Sequence, residues 1–168
     1  MLSIRKTIAA DLPDIEKIFV HARLQMATSG NHTQWGTDRP GMNLVTDDME
    51  KGNSYVIVND GKTVATFAFI IGIEPTYLDI DGAWLSDEPY GTIHRIASDG
   101  SVKGIFEFVL AFVQKSGVDI RIDTHRNNSV MRHLIEKNGF TECGIIIVDD
   151  GTERIAYQKQ HQATPTVD

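Results

Sequence analysis

Residues 93–112 constrain the fold most tightly, because the run Ile93-His-Arg-Ile-Ala97 passes through a short turn carrying Gly100 and Gly104 into Ile105-Phe-Glu-Phe-Val-Leu-Ala-Phe112. The first part reads as a buried strand. The last part reads as a helix with the apolar stripe Ile105, Phe108, Val109 and Phe112, which leaves Lys103, Glu107 and Gln114 in water. Asp119 to Thr124 alternates apolar and polar residues and supplies the next strand, so this stretch is a crossover unit. A helix start offers free N–H donors and a partial positive charge, and the glycine turn before it is a place where a phosphate can sit. Two glycines in such a turn serve equally as an ordinary cap.

The remaining elements surround this unit. Leu2 to Lys6 reads as a first strand. Asp11 stands as an N-cap with Pro13 in the first turn of a helix that carries Leu12, Ile15, Ile18, Phe19, Ala22 and Met26 at helical spacing and ends by Ser29-Gly30. Residues 31–53 form a loop or lid in which Leu44 to Lys51 can make a short helix. Ser54 to Asn59 and Thr63 to Gly72 flank Asp60-Gly61, a strong hairpin signal. Glu74 to Tyr90 is a long irregular connection, which in a compact domain points to function or mobility. Asn128 caps a helix carrying Val130, Met131, Leu134 and Ile135, closed by Asn138-Gly139, and Thr141 to Val148 with Glu153 to Lys159 form a final hairpin. The expected class is α/β (α+β), a mixed and mostly antiparallel central sheet of about seven strands with helices on both faces. A single domain over residues 1–160 and a polar, flexible tail over 161–168 complete the reading.

Composition excludes several classes. The chain has 168 residues, 41% hydrophobic and 23% charged, which are ordinary globular values. Its formal charge of −7 argues against nucleic acid as partner. No apolar run approaches a membrane span, and the polar N-terminus is unlike a secretory leader. The single Cys143 has neither a disulfide partner nor a zinc-type neighbour, and reads as a small core residue on a strand. These features fit a cytoplasmic location and assign no metal.

From Asn128 onward, Asn-x-x-Met-x-x-Leu-x-x-Lys-x-Gly-Phe-x-x-Cys-Gly resembles the second cofactor-binding segment of the GNAT-type N-acetyltransferase superfamily. With the Ile93 strand, the glycine turn and the element order, the resemblance spans nearly the whole chain. It implies transfer of an acetyl group from acetyl-CoA to an amine, and two parallel strands, Thr92 to Ser98 and Asp119 to Thr124, splayed to admit the pantetheine arm. It assigns Ile96, Ala97 and Ser98 to that arm, as in strand addition. Ser101, Val102, Lys103, Gly104, Ile105 and Phe106 would lie under the pyrophosphate, with Asn128 and Met131 at the next helix start. The chain departs from the family turn, which usually opens on Arg or Gln and ends on a small residue. Here Ser101 and Phe106 stand there, and Phe106 either obstructs the phosphates or turns into the core. Ile135 occupies the place of a common acid tyrosine, leaving thiolate protonation to water, Tyr157 or Tyr90.

Direct transfer needs a neutral amine and therefore a base. His94 is a candidate because histidine titrates near operating pH, and strand alternation puts it on the opposite face from Arg95. Tyr90 and Glu88 join it as catalytic candidates. His125, at a strand end, and the loop aromatics Trp35, Tyr77 and Trp84 are candidates for acceptor contact. Asp79, Asp81, Asp87 and Glu88 could attract a cationic amine, or could simply be solvated loop charge. The expected partner is a small-molecule amine acceptor, with nucleic acid and membrane excluded and a homodimer left open. The alternative is a catalytically impaired GNAT-fold protein that binds CoA or another ligand.

Overall fold

The computed structural model describes residues 1–163. One eight-stranded sheet organises it: β1 (Leu2–Lys6), β2 (Ser54–Asn59), β3 (Lys62–Ile71), β4 (Asp81–Gly82), β5 (Tyr90–Ser98), β6 (Asp119–Thr124), β7 (Thr141–Ile147) and β8 (Glu153–Lys159), in the spatial order β1-β2-β3-β5-β6-β8-β7-β4. Every neighbouring pair is antiparallel except β5 and β6. The strand beyond the expected seven is β4, two residues long and paired only with Ile145 and Gly144 of β7. Two residues carry no readable period, so sequence gives no sign of it. The β2–β3 hairpin turns at Asp60 and Gly61, whose φ angles of 49° and 81° suit a two-residue turn of the kind that follows the right-handed twist of its strands.

Helices α1 (Leu12–Thr28) and α2 (Met42–Glu50) cover one face, and α3 (Ile105–Gln114) and α4 (Ser129–Lys137) the other. On the first face Ile15, Ile18 and Phe19 of α1 pack with Val45, Val56 and Ala97. On the second, Phe106, Val109, Leu110 and Val113 of α3 join Ile135, Phe140, Ile120 and Ile122. The apolar stripe of α3 is thus rotated from the expected one, with Phe108 and Phe112 only partly buried. Phe106 is 4% exposed and its ring lies 6.3 Å from that of Phe140, so it turns into the core and leaves the turn before the helix clear. Burial of each such side chain stabilises the fold by roughly 1.5–3 kcal/mol.

Asp11 works differently from the expected cap. It ends a short 3-10 turn, Ala9–Asp11, and its carboxylate reaches back to accept from the Ile8 N–H at 2.8 Å and from Arg5 at 2.7 and 2.8 Å. Cys143 is half-buried rather than in the core, because β7 bulges against β8 between Glu142 and Gly144. Asn128 and Gly139 do cap α4: the Asn128 Oδ1 accepts from Met131 N at 3.1 Å, and Gly139 has φ 86°. Of the expected tail, residues 164–168 lie outside the described residues, while the His161 N–H donates to Asp119 at 2.7 Å. Among the described residues no helix is long and apolar enough to cross a membrane.

Candidate active site

The site begins where β5 and β6 stop pairing. They are joined only at Tyr90 with Asp119, Gly91 with Ile120 and Thr92 with Arg121. Beyond that β6 continues against β8 and β5 against β3, so from Ile93 and Ile122 onward the facing edges carry backbone groups with no strand opposite. A bulge drives the separation: the three steps from His94 to Ala97 face only two, Ala68 to Thr66, on β3. Within the bulge Arg95 has φ 51°, a left-handed conformation costing about 1–2 kcal/mol for a residue with a Cβ. Its side chain is tied to α2, with Nε and Nη2 donating to Asp48 Oδ2 at 3.0 and 2.6 Å. The bulge also cancels strand alternation. His94 and Arg95 open onto the same cavities instead of opposite faces.

A groove of about 530 Å³ runs along the free edge of β5. Ile96, Ala97, Ser98, Asp99 and Gly100 line one wall, Asn128, Met131 and Leu134 another, and His21, Gln25 and Met26 the α1 side. Five residues read from the sequence as cofactor contacts, Ile96, Ala97, Ser98, Asn128 and Met131, therefore meet here. Ser101, Val102, Lys103, Gly104 and Ile105 continue from the groove into α3, while Phe106 faces inward. Gly104 has φ 77°, and Phe108 is the first α3 residue bonded back, to Gly104 O at 3.1 Å, so the N–H groups of Ile105–Glu107 open the helix. An acidic group sits at this turn. The Asp99 carboxylate accepts from Ser101 N (2.9 Å) and Oγ (2.5 Å) and lies 3.5 Å from Lys62. Burial alone would raise its pKa, but Ser101 and Lys62 outweigh that and hold it below the usual carboxylate range.

Between the parted strands lies a smaller cavity of about 140 Å³, lined by Ile93, His94, Arg95, Ile122, Asp123, Thr124, Gln34, Trp35 and Arg154 among others. It is continuous through shared residues with two outer cavities of about 490 and 370 Å³. His94 is 18% exposed, and its Nε2 lies 3.5 Å from Glu74 Oε2, an ion-pair distance. Glu74 is fixed from three sides: its carboxylate accepts from Thr76 Oγ1 at 2.8 Å, its own N–H donates to Tyr90 Oη at 2.8 Å, and His94 stands before it. The His94 imidazole is the largest cause holding the Glu74 carboxyl down to about 2, with Thr76 assisting against burial. Across the cavity Asp123 accepts from Tyr77 Oη at 2.6 Å. Burial, and then Asp123, raise the Tyr77 pKa well above the ordinary value.

The other residues singled out in the sequence fall into separate places. Trp35 lines the cleft and packs edge-on against Phe19, with centroids 5.5 Å apart. His125 anchors the 31–41 loop: its Nε2 lies 3.2 Å from Thr33 Oγ1 and its Nδ1 accepts from Asn127 N at 3.0 Å. Tyr77 and Trp84 pack together under the paired end of β5 and β6, and Tyr77 reaches the cleft only through Asp123. Tyr90 is buried with its hydroxyl on Glu74, and Tyr157 is fully buried without a hydroxyl partner among the described residues; neither lines the cleft. Asp79, Asp87 and Glu88 on the loop and Asp81 in β4 are exposed and absent from the cleft walls. The carboxylates that do line the cleft and its outer cavities are Glu74, Asp123, Asp47, Asp48, Asp149 and Asp150. Gln34 was also unforeseen. Its Oε1 accepts from Asn31 Nδ2, Thr124 Oγ1, His125 N and Asn128 Nδ2 at 3.1–3.3 Å, pinning the loop to the mouth of the groove. A lone glutamine beside Trp35 gives no sequence signal for that role.

The chain matches no family profile and no curated protein sequence. Solved structures do match. An acetyltransferase of the GNAT family from Streptococcus agalactiae is 32% identical, with a TM-score of 0.87 and 96% of each chain covered. A GNAT-family acetyltransferase from Listeria monocytogenes is 20% identical, with a TM-score of 0.70 over 95% of this chain and 94% of that one. The Salmonella typhimurium protein yncA, solved with its cofactor acetyl-CoA, is 16% identical and shares the fold, with a TM-score of 0.62 over 99% and 98%. At a third of all positions identical over nearly full length, the likeness to the streptococcal enzyme goes beyond shared architecture, and this chain belongs to the GNAT family of acetyltransferases.

Proposed function

We propose that the chain is an N-acetyltransferase that moves an acetyl group from acetyl-CoA to the amine of a small acceptor, cationic at its amine end, by direct transfer. The observation that carries this reading is the parting of β5 from β6, which opens a groove and a polar cleft onto one another through Ile96, Asn128 and Met131. The free edge of β5 over Ile96, Ala97 and Ser98 suits an extended amide-bearing arm, and the start of α3 suits phosphate. Acetyl-CoA, when bound, supplies a thioester-activated acetyl group: the amine N–C bond forms, the C–S bond breaks, and CoA leaves as the thiol.

The chain's own contribution is a base and a charged cleft. In this reading His94 takes the proton that the acceptor ammonium must lose, and Glu74 at 3.5 Å stabilises the imidazolium. Asp123 and Asp149 favour an ammonium at the mouth. No hydroxyl acid is assigned, so water protonates the departing thiolate. Calorimetric titration with acetyl-CoA tests the groove, and saturable binding is the expected result. Absence of binding at millimolar concentration would reject it.

A second reading, a binding protein that has lost catalysis, draws on Asp99 at the phosphate turn and on Ile135, fully buried where many relatives carry an acid. It predicts acetyl-CoA binding with no amine-dependent thiol release across a broad panel of primary amines.

A further inference from the structure

Among the described residues, the walls of the cleft hold one cation without a counter-ion. Arg154, near the start of β8, is 6% exposed and lines both the inner cavity of about 140 Å³ and the outer one of about 490 Å³. Its guanidinium donates only to neutral acceptors: Nη1 to Thr152 Oγ1 at 2.7 Å and to Glu153 O at 2.9 Å, and Nη2 to Gln34 O at 3.3 Å. Among the described residues no carboxylate lies within 4.0 Å of it. The other two arginines of the outer cavity are each matched, Arg95 by Asp48 at 2.6 Å and Arg39 by Asp150. Burying a guanidinium without an anion is costly, whereas a guanidinium fork facing a cavity suits a planar carboxylate. Burial is also the main cause lowering the Arg154 pKa, with Asp123 and Asp150 opposing it only at longer range.

We infer that Arg154 receives a carboxylate of the acceptor, so that the substrate class is a short bipolar amine, an α-amino acid or close analogue, with its ammonium toward His94, Glu74 and Asp123. His94 and Asp123 on one side and Arg154 on the other border one inner cavity of about 140 Å³, so a short spacer is enough to bring the amine and the acid to both. The inference rests on the amine-acetylation reading given above, but concerns recognition and can be measured without turnover.

The experiment is calorimetry in the presence of CoA, which cannot donate an acetyl group, with matched pairs: L-alanine and ethylamine, L-leucine and 3-methylbutylamine, L-phenylalanine and 2-phenylethylamine. At least one amino acid should bind about tenfold or more tighter than its decarboxylated amine, the scale of a buried charge-assisted pair. Arg154→Lys, which keeps the charge and loses the fork, should weaken that preference, and Arg154→Met should bring the pair within about twofold. If Arg154→Met fails to fold, the wild-type pairs and Arg154→Lys still decide. Equal binding within every pair, no binding of any amino acid, or a preference that survives in a folded Arg154→Met protein would overturn the inference. A carboxylate preference in binding without acetylation by acetyl-CoA would uphold the inference and defeat the transferase reading instead.

Discussion

The two ends of β5 and β6 differ in what their polar groups face. At the paired end the guanidinium of Arg121 is held between the rings of Trp84 and Tyr90, at 3.9 and 3.8 Å from their centroids, and donates to Ser86 O at 2.9 Å. Beside it Asp119 accepts from Ser86 Oγ (2.6 Å), Gln158 Nε2 (2.8 Å) and the His161 N–H (2.7 Å). Among the described residues, the Arg121 Nε and the Thr92 Oγ1 are the buried polar atoms there without a partner. At the splayed end His94, Asp123 and Arg154 belong to the same sheet yet face open volume. Where the protein satisfies its own charges no ligand can compete. Where the bulge at Arg95 removes the strand partner, the same residue types become available for chemistry.

Breaking the paired end should cost stability rather than chemistry. Arg121→Ala removes two ring contacts and leaves a cavity, and we expect a loss of about 3 kcal/mol in urea denaturation, with acetyl-CoA affinity little changed in the folded fraction. The reverse is expected at the splayed end. His94→Ala should lower kcat/KM by about 10²-fold in steady-state kinetics, with a stability loss smaller than that of Arg121→Ala and confined to the lost Glu74 contact. A stability loss at His94 equal to that at Arg121 would erase the contrast between the two ends.

The third prediction concerns pH. The Glu74 carboxyl titrates near 2 in the folded protein against an ordinary 4.5, so the folded state binds its proton more weakly than the unfolded chain does. Its contribution to stability is therefore complete above about pH 4.5 and is lost as pH falls toward 2. Denaturation curves of the wild type and Glu74→Gln should lie apart at pH 6 and draw together below pH 3. A gap independent of pH would show that Glu74 acts by packing alone. The smallest effect is expected at Asp99, where Asp99→Asn removes a negative charge from the phosphate turn. Acetyl-CoA should bind a few-fold tighter, with the gain fading at high salt.

The outline of this fold was legible wherever the signal is local. β6 follows alternation, β2 and β8 belong to hairpins marked by their turns, and α4 follows from its Asn128 and Gly139 caps. The residues that line the groove were reached through the family resemblance, which needs only the short contiguous segments Ile96–Ser98 and Asn128–Met131. The polar cleft was not. Glu74 meets His94, Asp48 meets Arg95 and Gln34 meets Arg154 only after distant segments pack together, and the bulge that turns His94 and Arg95 to one side depends on the opposing register of β3. The acidic loop around Glu88 drew attention because its charges are close in sequence, yet exposed charge close in sequence builds no cavity.

Mass spectrometry of a mixture of primary amines and amino acids incubated with isotopically labelled acetyl-CoA tests the central claim most directly. The account predicts that one or more amines gain a single labelled acetyl group with wild-type protein, and that His94→Ala reduces this by about two orders of magnitude. Acetyl-CoA that binds the groove but labels no amine above the enzyme-free background would contradict it.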